Sequence, residues 1–81
     1  MIVRISKRAE KELDALLPAI RVEAWKHIRS LITFPYPRQA AKLKGSEDTY
    51  RIRIGSYRIL YIMDKKQITI MRIRHRREVY R

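Results

Sequence analysis

The chain contains no cysteine and only two histidines and two glycines among its 81 residues. Disulfide bridges and thiolate metal ligands are therefore excluded, a metal centre is not expected, and a phosphate-binding glycine loop is absent. No apolar run reaches the roughly 18 residues of a membrane span, and the N-terminal sequence MIVRISKRAEK is too polar for a signal peptide. We expect a cytoplasmic protein without a cofactor or membrane association, folded as one domain over residues 1–81.

Acidic residues are also scarce, since 20 Lys and Arg face 8 Asp and Glu and the net charge is +12. Residues 50–81 hold ten basic and two acidic residues, a local charge of +8, whereas residues 1–49 hold ten and six, or +4. Such a basic segment indicates a polyanionic partner, with nucleic acid first and an acidic protein second. Because its arginines alternate with Ile, Leu and Tyr, the segment has the pattern of a folded strand and not of a disordered tail.

Apolar periodicity in the first half predicts a strand followed by two helices. Residues 2–5 have the composition of a short strand, and Ser6 can cap a helix over residues 7–17. Pro18 suits the first turn of a second helix, which the following prolines stop near Phe34. The two helices form a hairpin with one apolar face.

The second half predicts a polar connection and three strands. The connection, residues 38–48, contains Lys42 and Lys44; the strands cover residues 50–54, 57–63 and 67–74, and the tail covers 75–81. The order β-α-α-β-β-β predicts an α+β fold in which the helix hairpin packs on one face of a small, mainly antiparallel sheet.

Hairpin register predicts which side chains share a face. A two-residue turn at Gly55-Ser56, of the type II′ that begins with glycine, pairs Arg53 with Arg58 and puts Arg51 on the same face. Arginines directly opposed across two strands repel each other. A sheet built only for stability would avoid this arrangement, so we interpret these arginines as functional.

The next turn has two alternative registers. A three-residue turn at 64–66 pairs Met63 with Gln67 and Arg58 with Arg72, so that Arg72 and Arg74 join the basic face. A two-residue turn would instead turn both arginines toward the helices, which is costly. We expect the first register, which also leaves an uncovered apolar patch on the basic face that favours a partner protein. This patch comprises Leu60, Ile62, Ile68 and Ile70.

Two segments resemble the RelE/ParE toxin superfamily. KLKGSEDTYRIRIGSYRILYIM is similar to its central hairpin, and IRHRREVYR is similar to its C-terminal signature of a basic cluster followed by tyrosine. The resemblance covers essentially the whole chain. It implies a RelE-type toxin that cleaves mRNA in the ribosomal A site, in contact with rRNA, and is held inactive by an acidic, RelB-like antitoxin, with a toxin–antitoxin heterotetramer as one assembly.

The resemblance also implies site residues. Arg51, Arg53 and Arg58 match the catalytic basic groups of the hairpin, and Arg76 and Tyr80 match the C-terminal pair. The family often has lysine at the positions of Arg51 and Arg53, which argues against a proton-abstracting role here. Arg74 competes with Arg76 for the C-terminal role, because the alignment there depends on the position of a gap.

Further candidates come from side-chain chemistry. His75 is the reserve general base, as the nearby residue whose ordinary pKa lies closest to neutrality. Lys42, Lys44, Arg72 and Arg74 are expected to contact the RNA backbone. Two other functions stay open: a ParE-type toxin that poisons DNA gyrase, which the arginines argue against, and a non-enzymatic basic RNA- or ribosome-binding module.

Overall fold

The computed structural model describes residues 2–33, 40–42 and 48–75, which form two helices and five strands. The α+β architecture with a helix hairpin on one sheet face is confirmed. One element was not expected, because the connection predicted as polar contains a three-residue edge strand. In chain order the elements are β1 (Ile2–Ile5), α1 (Lys7–Asp14), α2 (Pro18–Ser30), β2 (Ala40–Lys42), β3 (Thr49–Ile54), β4 (Tyr57–Met63) and β5 (Gln67–His75).

The start of α1 is capped as predicted. The Ala9 N–H donates to the Ser6 hydroxyl over 3.1 Å, which satisfies one of the free N–H groups of the first turn. The helix ends at Asp14, three residues earlier than expected, and Leu17 is 68% exposed. Leu17 is instead the N-cap residue of α2, which begins at Pro18 as predicted and ends at Ser30.

The sheet has the strand order β1-β5-β4-β3-β2, in which β1 runs parallel to β5 and all other neighbours are antiparallel. α1 packs mainly against β5, and α2 contacts β3. The core lies between the helices and the sheet. Its buried side chains include Leu13, Ile28, Ile52, Ile59, Tyr61, Ile68, Ile70 and Ile73.

The β3–β4 hairpin has the predicted register. Gly55 has a φ of +56° and is the only residue with positive φ in the described part of the chain, as a type II′ turn requires. Ile54 pairs with Tyr57 and Arg53 with Arg58. The two arginines are therefore directly opposed across the strands.

The expected β4–β5 register is wrong. Met63 pairs with Ile68 and not with Gln67, because Asp64 closes a tighter turn. Its carboxylate accepts the N–H groups of Lys66 and Gln67 at 3.0 and 2.9 Å, and its own N–H donates to the Gln67 carbonyl at 3.0 Å. These hydrogen bonds hold the pKa of Asp64 below its ordinary value. Ile68 and Ile70 consequently face the helices and are fully buried, so the predicted open patch retains only Leu60 and Ile62.

A β-bulge then restores the arginines to the open face. Tyr61 pairs with Ile70 but Leu60 pairs with Arg72, which leaves Met71 as an extra residue without a partner on β4. Met71 is 37% exposed. The extra residue reverses the alternation, so Arg58 pairs with Arg74 instead of the predicted Arg72.

Candidate nucleic-acid interface

A row of three arginines crosses the sheet face that the helices leave open. Arg53 on β3, Arg58 on β4 and Arg74 on β5 are successive cross-strand partners. Side chains directly opposed on antiparallel strands start only about 4.5–5.5 Å apart at Cβ. We call these three residues the arginine row. They bring three positive charges to one end of the face.

The next row along the strands is mixed. Arg51 pairs with Leu60, which pairs with Arg72, so two further arginines flank an apolar side chain. Beyond it the face carries uncharged side chains at its centre, since Ile62 pairs with Thr69. Leu60 and Ile62 are half-buried. The open face therefore combines a basic end with a small apolar centre.

Burial differs along the arginine row. Arg58 lies in the central strand and is only 7% exposed, whereas Arg53 is exposed and Arg74 is half-buried. In the adjacent row, Nη1 of Arg51 is buried and makes no hydrogen bond within the described residues. Partly desolvated guanidinium groups bind an anion more strongly than fully hydrated ones do. This end of the sheet is thus suited to a phosphate group.

Arg72 is held by a carboxylate from α1. Its Nε and Nη2 donate to Glu12 at 3.1 and 3.0 Å, and the backbone N–H of Ile73 donates to the same carboxylate at 2.9 Å. Burial raises the pKa of Glu12, but the hydrogen bonds from Arg72 and Ile73 and the charges of Arg72 and Arg8 outweigh it, so the pKa lies below its ordinary value. The predicted RNA contact by Arg72 therefore competes with an internal ion pair.

His75 lies on the other face of the sheet. It pairs with Tyr57, whose side chain packs against the core, and the two rings meet edge to face at 5.2 Å and 86°. The imidazole lines a surface groove with Glu12 and Leu16 of the helix layer. The structure does not bring His75 together with the arginines, whose side chains lie on the opposite side of the strands.

The remaining sequence-based candidates fall at or beyond the edges of the described residues. Lys42 is the last residue of β2, and its backbone pairs with Tyr50. Lys44, Arg76 and Tyr80 lie outside the described residues. In the choice between Arg74 and Arg76, only Arg74 can be assigned to the arginine row.

Sequence reasoning missed two residues of this region. Glu12 is 60 positions from Arg72, and its only signal is its place on α1 near the buried side of that helix. Arg4 pairs with Thr69 and extends the open face to β1. The sequence signal that could have indicated this position is alternation, because Arg4 lies between Val3 and Ile5, which both pack against the core.

The described residues contain no group of three or more His, Asp or Glu side chains that could hold a metal ion. None of the helices in ranges 2–33, 40–42 and 48–75 is long and apolar enough to cross a membrane.

Sequence comparison relates this chain to known toxins. The family model for the ParE toxin of the type II toxin–antitoxin system parDE matches residues 3–80. A Methanocaldococcus jannaschii protein named as the toxin RelE1 is 36% identical over 84 residues, covering 98% of this chain and 93% of that protein.

Solved structures agree with this relationship. The chain resembles a chain of the RelB–RelE antitoxin–toxin complex from Methanococcus jannaschii, with a TM-score of 0.83 and 26% identity over 95% of this chain and 94% of the other. It also resembles a chain of the archaeal RelE–RelB complex from Pyrococcus horikoshii, with a TM-score of 0.82 and 32% identity over 93% of each chain. The protein belongs to the RelE/ParE superfamily of type II toxin–antitoxin toxins.

Proposed function

We propose that this toxin is a metal-independent endoribonuclease that cleaves mRNA in the ribosomal A site and is inhibited by an acidic, RelB-like antitoxin. The observation that carries the proposal is the arginine row, in which Arg53, Arg58 and Arg74 are direct cross-strand neighbours on an open face. Two opposed like-charged pairs destabilise a sheet. An anionic substrate accounts for their presence.

The proposed reaction uses the 2′-hydroxyl of the RNA as the nucleophile. Its oxygen attacks the adjacent phosphorus and loses its proton, while the bond to the 5′-oxygen breaks and that oxygen gains a proton. The products are a 2′,3′-cyclic phosphate and a 5′-hydroxyl. In the transition state, extra negative charge develops on the non-bridging phosphoryl oxygens. Fixed cationic donors stabilise that charge without the reorganisation that water would require.

The arginine row is suited to this electrostatic task. A guanidinium group offers a planar pair of donors to phosphate oxygens, and its high pKa makes it a poor base. Arg51, in the adjacent row, would support the same phosphate. Arg76 and Tyr80 match the family's C-terminal pair; Arg76 would neutralise or protonate the leaving 5′-oxygen, and Tyr80 would stack on a base or relay a proton. His75 is left out of this proposal because the strand backbone separates it from the row.

The same face supports an antitoxin contact. Leu60 and Ile62 are half-buried apolar residues next to the arginines, an arrangement that favours apolar anchors within an acidic rim. Two of the structural relatives are chains of RelB–RelE complexes. Leu60→Asp combined with charge reversal at Arg58 should weaken antitoxin binding. Unchanged affinity would mean that the interface lies elsewhere, for example on the helices.

Programmed ribosomes provide the direct test. Purified toxin is incubated with ribosomes carrying a defined codon in the A site, and the RNA ends are analysed with and without a chelator that leaves the ribosome intact. The expected 5′ fragment ends in a cyclic phosphate or its hydrolysis product, a 3′-phosphate, in both samples. A 3′-hydroxyl end, or loss of cleavage on chelation, would contradict the mechanism.

A gyrase assay covers the alternative activity. The matching family model is that of a ParE toxin, so poisoning of DNA gyrase is the second candidate. If the mRNA stays intact on programmed ribosomes while the toxin inhibits gyrase supercoiling, the ribonuclease proposal is wrong. Intact RNA without an effect on gyrase would favour a non-enzymatic RNA- or ribosome-binding module.

A further inference from the structure

The outer edge of β5 is closed by three different groups in succession. The backbone of β1 pairs with residues 67–70. Ser6 then donates from its N–H to the Ile70 carbonyl and from its hydroxyl to the Met71 carbonyl, both at 3.0 Å. At Ile73 the third group is the Glu12 carboxylate, which accepts the Ile73 N–H at 2.9 Å. A helix side chain thus replaces the neighbouring strand at the point where the bulge has shifted the register.

Like charges repel each other at the C-terminal end of β5. Arg74 lies directly opposite Arg58, and Arg72 occupies the next position along the open face. Repulsion among these side chains favours separation of the strand end from β4. β1 ends at Ile5, so within residues 2–33, 40–42 and 48–75 no neighbouring strand supports β5 on its outer side beyond the bulge. The Glu12 carboxylate supplies both the hydrogen bond and the negative charge that oppose this separation.

The Glu12–Arg72 contact is made by two donors. Nε of Arg72 lies 3.1 Å from one carboxylate oxygen and Nη2 lies 3.0 Å from the other. Such a paired contact is stronger and more directional than a single hydrogen bond. Both side chains are about 22% exposed, so solvent screens the pair only partly. Arg72 is held in place and its charge is largely compensated.

We propose that Glu12 is a positioning residue for the arginine row. By accepting the Ile73 N–H and holding Arg72, it fixes the end of β5 so that Arg74 stays opposite Arg58. It also removes Arg72 from the cations that contact RNA. The effect on cleavage rests on the proposed ribonuclease function, whereas the effects on strand order and RNA binding do not.

The test compares Glu12→Gln with Glu10→Gln. Both variants lose one negative charge from α1, but Glu10 is exposed and makes no contact with Arg72. We expect Glu12→Gln to lower kcat for ribosome-dependent cleavage by roughly 10²-fold, because a shift of about 1 Å in a catalytic group has this effect. The released Arg72 should at the same time steepen the salt dependence of binding to an RNA oligonucleotide by roughly 0.7 in logarithmic slope.

A purely structural defect would not steepen the salt dependence of RNA binding while it slows catalysis. Glu12→Asp keeps the charge and should restore most of kcat and the original salt slope. Amide hydrogen exchange at Ile73 and Arg74 should accelerate in Glu12→Gln and remain unchanged in Glu10→Gln. If Glu12→Gln and Glu10→Gln behave alike in salt slope and exchange, the proposal is overturned.

Two further measurements separate the possible failures. If the wild-type protein does not cleave RNA, the ribonuclease function fails, while salt slope and exchange still test Glu12. If Glu12→Gln does not fold, Arg72→Ala replaces it, and we expect this variant to keep the wild-type salt slope while Arg74→Ala loses roughly 0.7. A loss of the same size in Arg72→Ala would show that Arg72 contacts RNA and would overturn the proposal.

Discussion

Replacing Arg53 by threonine should raise the stability of the fold and lower its activity. Arg53 is exposed and lies directly opposite the buried Arg58. Threonine is well accommodated in strands, so the substitution removes a repulsive pair without introducing a poor strand residue. If the arginine row serves to bind the reacting phosphate, removing Arg53 from it should favour folding and impair catalysis.

The sizes of the two effects follow from the geometry. A cross-strand pair contributes about 0.2–1 kcal/mol, and like charges directly opposite are destabilising. For a chain of this length, relief of one such pair raises Tm by roughly 1–8 °C. Loss of one fixed donor to a developing oxyanion lowers kcat by about 10²–10³-fold, or about 2.7–4 kcal/mol. The expected changes are therefore opposite in sign and different in size.

Arg4→Thr is the matched control. Arg4 is exposed on the same open face and lies opposite Thr69, so this variant changes the net charge equally without relieving an arginine pair. Thermal melts should show a gain for Arg53→Thr alone, and the gain should shrink near 1 M salt, where the Debye length is about 3 Å. Equal Tm values for the two variants, or cleavage by Arg53→Thr within a few-fold of wild type, would refute the reasoning.

Three other perturbations have defined outcomes. Because the pKa of Glu12 is lowered, its contribution to stability is present above its unfolded pKa and is lost as pH falls through the folded value; the melts of wild type and Glu12→Gln should therefore converge as the pH falls below the ordinary pKa of a glutamate. Ser6→Ala should reduce the free energy of unfolding by about 0.5–2 kcal/mol in urea titrations, because it removes the cap of α1. RNA-oligonucleotide affinity, measured by fluorescence anisotropy, should fall with salt at a logarithmic slope of about −2.8 or steeper, because Arg51, Arg53, Arg58 and Arg74 each contribute about −0.7 and the other basic residues expected to contact RNA add to this; a slope near zero would indicate base stacking as the main term.

Local signals explain why the hairpin and the helices could be predicted. Gly55 specifies a two-residue turn, and the turn length alone then determines that Arg53 lies opposite Arg58. Ser6 and Pro18 mark the two helix starts by mechanisms that act within one helical turn. Each of these features depends on residues that are close in sequence, so the hairpin register and the helix starts can be predicted from a single sequence.

Contacts between distant segments could not be predicted in the same way. β2 is only three residues long, and Ala-Ala-Lys has no alternation that would distinguish a strand from a loop. The Glu12–Arg72 pair joins residues 60 positions apart, and the direction in which α1 crosses β5 decides whether they meet. The roles of Arg76 and Tyr80 depend on the family resemblance, the role of Lys44 depends on its positive charge, and all three stay predictions.

The incorrect β4–β5 register nevertheless shows how a bulge of this kind can be predicted from sequence. In β5, burial of Ile68 and Ile70 requires the even-numbered residues to face the helices. Burial of Ile73, with Arg74 on the other face, requires the odd-numbered residues to face them. A uniform register must either expose the two isoleucines or bury two arginines, and both choices are costly. When both regular registers fail, the pattern predicts a bulge between the two parts. The bulge at Met71 lets one strand contribute to the core at its beginning and to the arginine row at its end, so its position follows from the need to bury Ile70 while Arg72 faces away from the helices.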